Sequence, residues 1–189
     1  MMLIPRLSLF LFATFLAADP IGSGLADGTR LVYESAGASQ PPWIYDSVRV
    51  VQRAEFDRCV MVTRREQTPR EHCARGDTLF VRQASGAYVV RRPLGPRMEM
   101  DVPTASGDVL YYTTGDADVR EVAGVSVSFL PTTIVTRTSE GVATRRLREQ
   151  YATSLLTALW GVFEQPDSTG GWTPSREFQL VEIAREGRD

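Results

Sequence analysis

Apolar and polar residues alternate along most of this chain, most clearly where β-branched and aromatic residues gather. Thr29 to Ser35 (TRLVYES) predicts a first strand, and Trp43 to Arg53 predicts a second after the Gly, Ser and Pro-rich break from Gly37 to Pro42. Arg58 to Arg65 predicts a third, ended by Thr68-Pro69. Asp77 to Gln83 and Ala87 to Arg92 face each other across Ala84-Ser85-Gly86, a connection of hairpin length. Asp108 to Thr114 and Val122 to Leu130 resume the pattern. In the latter, Val125, Val127 and Phe129 point one way, and Ser126 and Ser128 the other. Pro131 marks an edge or a bulge, because it has no N–H to give a ladder. Thr132 to Thr138 continues the strand pattern, Ser139-Glu140-Gly141 turns, Val142 to Glu149 returns, and Phe178 to Ile183 closes the series.

Three stretches depart from this alternation. Pro93 to Pro103 holds three prolines and Gly95, which predicts a loop that is mobile or lies over an opening, with Met98 and Met100 at its mouth. Leu147, Tyr151, Leu155, Leu159 and Phe163 recur every four residues, which is a helical stripe. Arg145, Arg146 and Arg148 would stand at the positive end of such a helix and Glu164 at its negative end, both the wrong sign. A strand to about Gln150, a turn or short helix, and a strand over Leu159 to Glu164 fit better. Leu7 to Ala18 (LSLFLFATFLAA), behind Arg6, is too short to cross a bilayer but fits the apolar core of a secretory signal. Residues 1–26 read as that signal, cleaved between Ala18 and Ala26, and residues 27–189 as one β-rich domain. The expected location is the periplasm or the secreted medium.

Strands at short intervals, with turn residues between them and no βαβ alternation, predict a mainly β fold. The expected form is a single curved antiparallel sheet, as half-barrel, barrel or sandwich, with at most one or two short helices. Composition changes this picture little: 43% hydrophobic content suits a folded core, and a net charge of -2 argues against a nucleic-acid partner. All 21 basic residues are Arg. They are unevenly placed: Arg49 to Arg97 carries 11 Arg against 5 acids, and Met98 to Ala143 carries 2 Arg against 7 acids. Such blocks can pair across a sheet.

Candidate chemistry is sparse. Cys59 and Cys73 are the two cysteines, and in an exported chain an even pair is most simply a disulfide. A turn centred on Thr68-Pro69 would set Cys73 opposite Arg64, so a bridge requires a longer loop centred near Glu66 or another strand arrangement. His72, the single histidine, cannot activate Cys73 from an extended segment, because neighbours on a strand point to opposite faces. It reads as a polar residue on a solvated strand or loop. Zinc ligation by Cys59, His72 and Cys73 matches no standard spacing. Asp116 and Asp118 read as a polar turn. No serine elbow, phosphate loop or dinucleotide fingerprint is present, so no catalytic residue, cofactor or metal is assigned. Trp43, Tyr45, Phe80, Tyr88, Tyr111 and Phe129 form a candidate apolar ligand face on a curled sheet, beside the Met98 and Met100 loop.

The opening GTRLVY (Gly28 to Tyr33), the following Trp43 and Tyr45, and the closing REFQLVEI (Arg176 to Ile183) resemble exported bacterial proteins of unknown function that form a half-barrel sheet. That shape is similar to the periplasmic lipoprotein carriers. The resemblance implies a role in the cell envelope and no catalytic residues. The expected function is therefore a non-enzymatic periplasmic protein that binds an apolar or amphipathic ligand such as a lipid moiety. The alternative is an envelope interaction module using a strand edge or the arginine-bearing face, and an unrecognised hydrolase comes third. No integral membrane segment is expected in the mature chain.

Overall fold

The structure, a computed structural model, describes residues 28–36, 43–64, 67–122 and 124–185. The expected signal segment lies outside the described residues. The described chain is all β, without helices: thirteen antiparallel strands form one nearly closed, barrel-shaped sheet. They are β1 (Thr29–Ala36), β2 (Trp43–Val51), β3 (Arg58–Arg64), β4 (Arg70–Arg75), β5 (Thr78–Arg82), β6 (Tyr88–Pro93), β7 (Glu99–Pro103), β8 (Val109–Thr114), β9 (Asp118–Val122), β10 (Val125–Arg137), β11 (Ala143–Ala152), β12 (Thr157–Pro166) and β13 (Trp172–Arg185). No described helix is long and apolar enough to cross a membrane.

The order around the sheet is β6-β5-β4-β3-β2-β1-β13-β12-β11-β10-β8-β7. β9 lies off this path and pairs with β10 alone, so β8 runs beside β10, while most other strands lie beside their neighbours in sequence, and the first and last strands zip together from Thr29↔Arg185 to Ala36↔Glu177. The ring is broken between β6 and β7, two consecutive strands that approach but form no ladder.

Alternation sends Leu31, Tyr33, Val48, Val60, Ala74, Leu79, Leu159 and Leu180 inward, where they make one core. Tyr33 is fully buried, and its hydroxyl reaches Thr157 Oγ1 (2.6 Å) and donates to the Ala158 carbonyl (2.9 Å) across that core. Two further pieces fill the interior. The β9–β10 hairpin brings in Val122, Val127 and Phe129 and reaches β13, three strands from β10 in the sheet, so it folds across the concave side. The turn between β11 and β12 buries Leu155 and Leu156, and the Arg58 guanidinium from β3 donates to its Thr153 carbonyl. Gly161 is required here: a Cβ would stand 2.5 Å from the Phe178 ring.

Several expectations change. Val122 to Leu130 is not one strand: Gly124, at φ 76°, turns it into the β9–β10 hairpin, so Val122 pairs with Val125. The four-residue stripe is a hairpin, with Leu147 and Tyr151 on β11, Leu155 in the turn, and Leu159 and Phe163 on β12. Pro93 to Pro103 is not a loop throughout, because Glu99–Pro103 is strand β7, and Leu94 and Gly95 in the connection beside the break are buried. Thr114 fixes the connection, donating to the Gly95 carbonyl (2.7 Å) and accepting from the Met98 N–H (2.8 Å). Pro131 stands inside β10 where the partner strand changes from β9 to β8, and its carbonyl accepts from Gly115.

Candidate functional site

The break in the ring leaves backbone hydrogen-bonding groups of β6 and β7 without a strand partner among the described residues, and the outer edge of β9 is another such edge elsewhere. On the β5 side of β6, Gln83 donates to the Ala87 carbonyl and Leu94 to the Asp77 carbonyl. Antiparallel pairs alternate between bonded and non-bonded, so Tyr88, Val90 and Pro93 turn their backbone groups away from β5, toward the gap. On β7, Thr104 donates to the Asp108 carbonyl and Thr114 to the Met98 carbonyl. By the same alternation Glu99, Asp101 and Pro103 face the gap. Pro93 and Pro103 thus each present a nitrogen without hydrogen where a β6–β7 ladder would need a donor. Proline at such positions is how a strand edge is kept from pairing. The remaining donors toward the gap are Tyr88 and Val90 on one side, and Glu99 and Asp101 on the other.

The β6 edge is held from both faces. On the outside of the barrel, the Tyr88 hydroxyl donates to Glu71 Oε1 (2.8 Å), which also meets Arg53 Nε at 2.7 Å, while Arg82 Nη1 lies 3.4 Å from Glu71 Oε2. Glu71 is almost wholly buried there, under the Arg53 and Tyr88 side chains. Burial pushes its pKa up, but the hydrogen bonds from Arg53 and Tyr88 and the nearby guanidinium charges outweigh that, so the carboxyl titrates below its ordinary range. The Phe56 ring packs on Tyr88 (4.6 Å) and Phe80 (5.4 Å), and the Arg75 guanidinium lies over Phe80 (4.9 Å). On the inside, Arg92 pairs with Glu149 of β11 and stacks 3.5 Å above the Tyr151 ring. Their side chains are only 7% and 5% exposed. Between the two anchors, Val89 and Val90 remain 36% and 41% exposed.

The disulfide is present: Cys59 and Cys73 sit directly opposite on β3 and β4 with Cα atoms 4.1 Å apart, which places the centre of the intervening loop at residue 66. The bridge lies on the outer face beside Glu71, buried under the same cluster. Cys59, Glu71 and Cys73 are the one set of potential metal ligands that converges among the described residues, and both sulfurs are committed to the bridge.

His72 differs from expectation. It sits on β4, facing the opposite way from Cys73, and is half-buried instead of solvated, with Nδ1 unpartnered among the described residues. Burial first, and then the charges of Arg91 and Arg70, lower its pKa to about 4. Arg97 pairs with Asp116 at 2.6 Å, joining the basic and acidic blocks of the sequence, and Asp118 caps the Val119 N–H at the start of β9. The boundary between those blocks, Arg97 to Met98, falls in the short connection from β6 to β7, so the gap separates a basic wall from an acidic one.

The six aromatics proposed as a ligand face do not share one. Phe80 and Tyr88 meet on the outer cluster, Phe129 is buried in the core, and Tyr111 on β8 lies under the Arg137 guanidinium (5.0 Å). Trp43 and Tyr45 pair in register with Tyr33 and Leu31, and their side chains lie outside the described residues. Met100 packs on the small cluster of Val102, Tyr112 and Ile134, while Met98 is half-buried at the gap. The residues that build the site, Glu71, Arg53, Arg92 and Glu149, carry no local sequence signal; the surplus of Arg before residue 97 was the nearest hint.

Comparison with protein-family models, with curated proteins and with solved structures finds no match.

Proposed function

We propose that this protein is a non-enzymatic binding module of the cell envelope that takes up an extended segment of a partner protein as an added strand on β6. The observation that carries the reading is an edge with outward backbone groups at Tyr88 and Val90 whose strand is fixed at both ends, by Tyr88–Glu71 and Arg92–Glu149. Strand addition draws affinity from main-chain hydrogen bonds, and an edge already held in place adds little ordering cost. The disulfide fits an oxidising compartment, which supports the placement outside the cytoplasm. The described interior supports the lipid-carrier reading less well, because the protein's own side chains occupy it and the grooves beside Arg70 and beside Trp160 are open and partly polar.

The test uses the position-specific geometry of the edge. Val90→Pro removes a donor that faces the gap and leaves the β5 ladder intact, whereas Val89→Pro removes a ladder bond. Hydrogen exchange on the disulfide-bonded protein, with and without an extended peptide, should show slowing at the Tyr88 and Val90 amides, and Val90→Pro should abolish binding without unfolding the barrel. Protein isolated with a bound lipid that Val90→Pro does not affect would overturn this reading in favour of the carrier.

A further inference from the structure

The wall that ends at β6 carries more positive charge than its own acids neutralise. Arg49, Arg70 and Arg91 are exposed and form no ion pair among the described residues. Glu71, the buried acid of this wall, is already shared between Arg53 and Arg82. Arg70 and Arg91 come close enough to His72 that both disfavour its protonation. The row His72↔Val81↔Val89 crosses β4, β5 and β6 and ends at the gap, two residues before Arg91 on β6. An open groove of about 890 Å³ adjoins it, lined in part by Arg70, Val81 and Arg82. A strand laid along β6 would continue the row past Val89, setting its own side chains against exposed valine and unneutralised arginine. Opposite charges on neighbouring strands attract at this range, and like charges repel.

Resting on the strand-addition reading above, we infer that the segment β6 accepts is acidic: an extended peptide in which Glu or Asp alternates with β-branched residues, its carboxylates directed at Arg91. Arginine suits this task because its planar guanidinium can grip a carboxylate with two parallel bonds. The acidic β7 edge, bearing Glu99 and Asp101, directs such a segment to β6 rather than to the other side of the gap.

The experiment titrates the full, disulfide-bonded protein with three capped peptides that alternate Thr with Glu, with Gln or with Lys, following amide shifts by NMR. The Glu peptide should bind about tenfold more tightly than the Gln peptide, equivalent to about 1.4 kcal/mol. High salt and Arg91→Glu should each remove that difference, and the Lys peptide should bind weakest. Val90→Pro should abolish binding of every peptide. Equal binding of the Glu and Gln peptides, both lost in Val90→Pro, would overturn the acidic preference while leaving strand addition standing. Glu-peptide binding that survives Val90→Pro would overturn strand addition, and so would the absence of binding by any peptide. Arg91→Gln serves as a second variant should charge reversal disturb the fold.

Discussion

The Arg92–Glu149 pair is the most exposed to test of the interactions that hold the edge strand. Both side chains are more than nine-tenths buried, they come from strands on opposite sides of the gap, and Arg92 meets Glu149 through Nη1 while its Nε and Nη2 have no hydrogen-bond partner among the described residues. Removing only the carboxylate, as in Glu149→Leu, leaves a guanidinium in the core with nothing to neutralise it. Such a break costs about 3 to 5 kcal/mol. Replacing both partners by apolar residues, Arg92→Met with Glu149→Leu, removes the stranded charge. The double variant gives up the stacking of Arg92 on Tyr151, worth about 1 to 2 kcal/mol, but recovers the desolvation cost of both ions. It should therefore lie within about 2 kcal/mol of the native protein, well above Glu149→Leu alone. Urea denaturation with the disulfide intact gives all the values needed. The Glu149→Leu variant should also exchange its β6 amides faster, since that strand loses its inner anchor. A double variant as unstable as the single one would refute the reasoning, because the cost would then come from lost packing at position 149 and not from an unpaired charge.

Other expectations follow from the same geometry. His72, whose pKa lies near 4 in the fold against 6.5 unfolded, binds fewer protons folded than unfolded between those values. Stability is complete above about pH 6.5 and falls as pH drops toward 4, by about 3 kcal/mol in all, and His72→Phe should remove that part of a stability-versus-pH curve. Glu71 and Glu164 titrate below the usual carboxylate range: burial raises each pKa, and the hydrogen bonds from Arg53 and Tyr88, or from Arg146 and Arg148, overcome it. Their contribution is present above the unfolded carboxylate pKa and is lost as acid reaches their lower folded values, so Glu71→Gln should flatten the acid limb below pH 4. Reducing the Cys59–Cys73 bridge, which closes a separation of 14 residues, should lower stability by about 3 kcal/mol, and thiol titration of the denatured, non-reduced protein should find no free thiol. Gly161→Ala should cost about 1 to 3 kcal/mol in thermal or urea unfolding, because its Cβ would press on Phe178 and on Glu149.

The sequence by itself determined the class and most of the strands, but not β4, β7 or the division of β9 from β10. Alternation depends on two-residue periodicity within a few residues, so Leu31 and Tyr33, or Val127 and Phe129, could be assigned to one face without knowing what covers them. It also gave the pairing of Cys59 with Cys73, because only two cysteines were available. It misjudged places where local pattern is degenerate. A spacing of four is a multiple of two as well as nearly one helical turn, so Leu147 to Phe163 reads as either until pairing with β10 and β13 decides it. Prolines at 93 and 103 look like loop residues, yet each stands in a strand where the backbone nitrogen faces the gap and no donor is needed. Only the tertiary structure decided where the ring stays open, which face of β4 carries Glu71 and which His72, and that Arg92 meets Glu149. Those contacts join residues 18 to 57 positions apart through burial and Coulomb attraction, neither of which leaves a periodic trace along the chain.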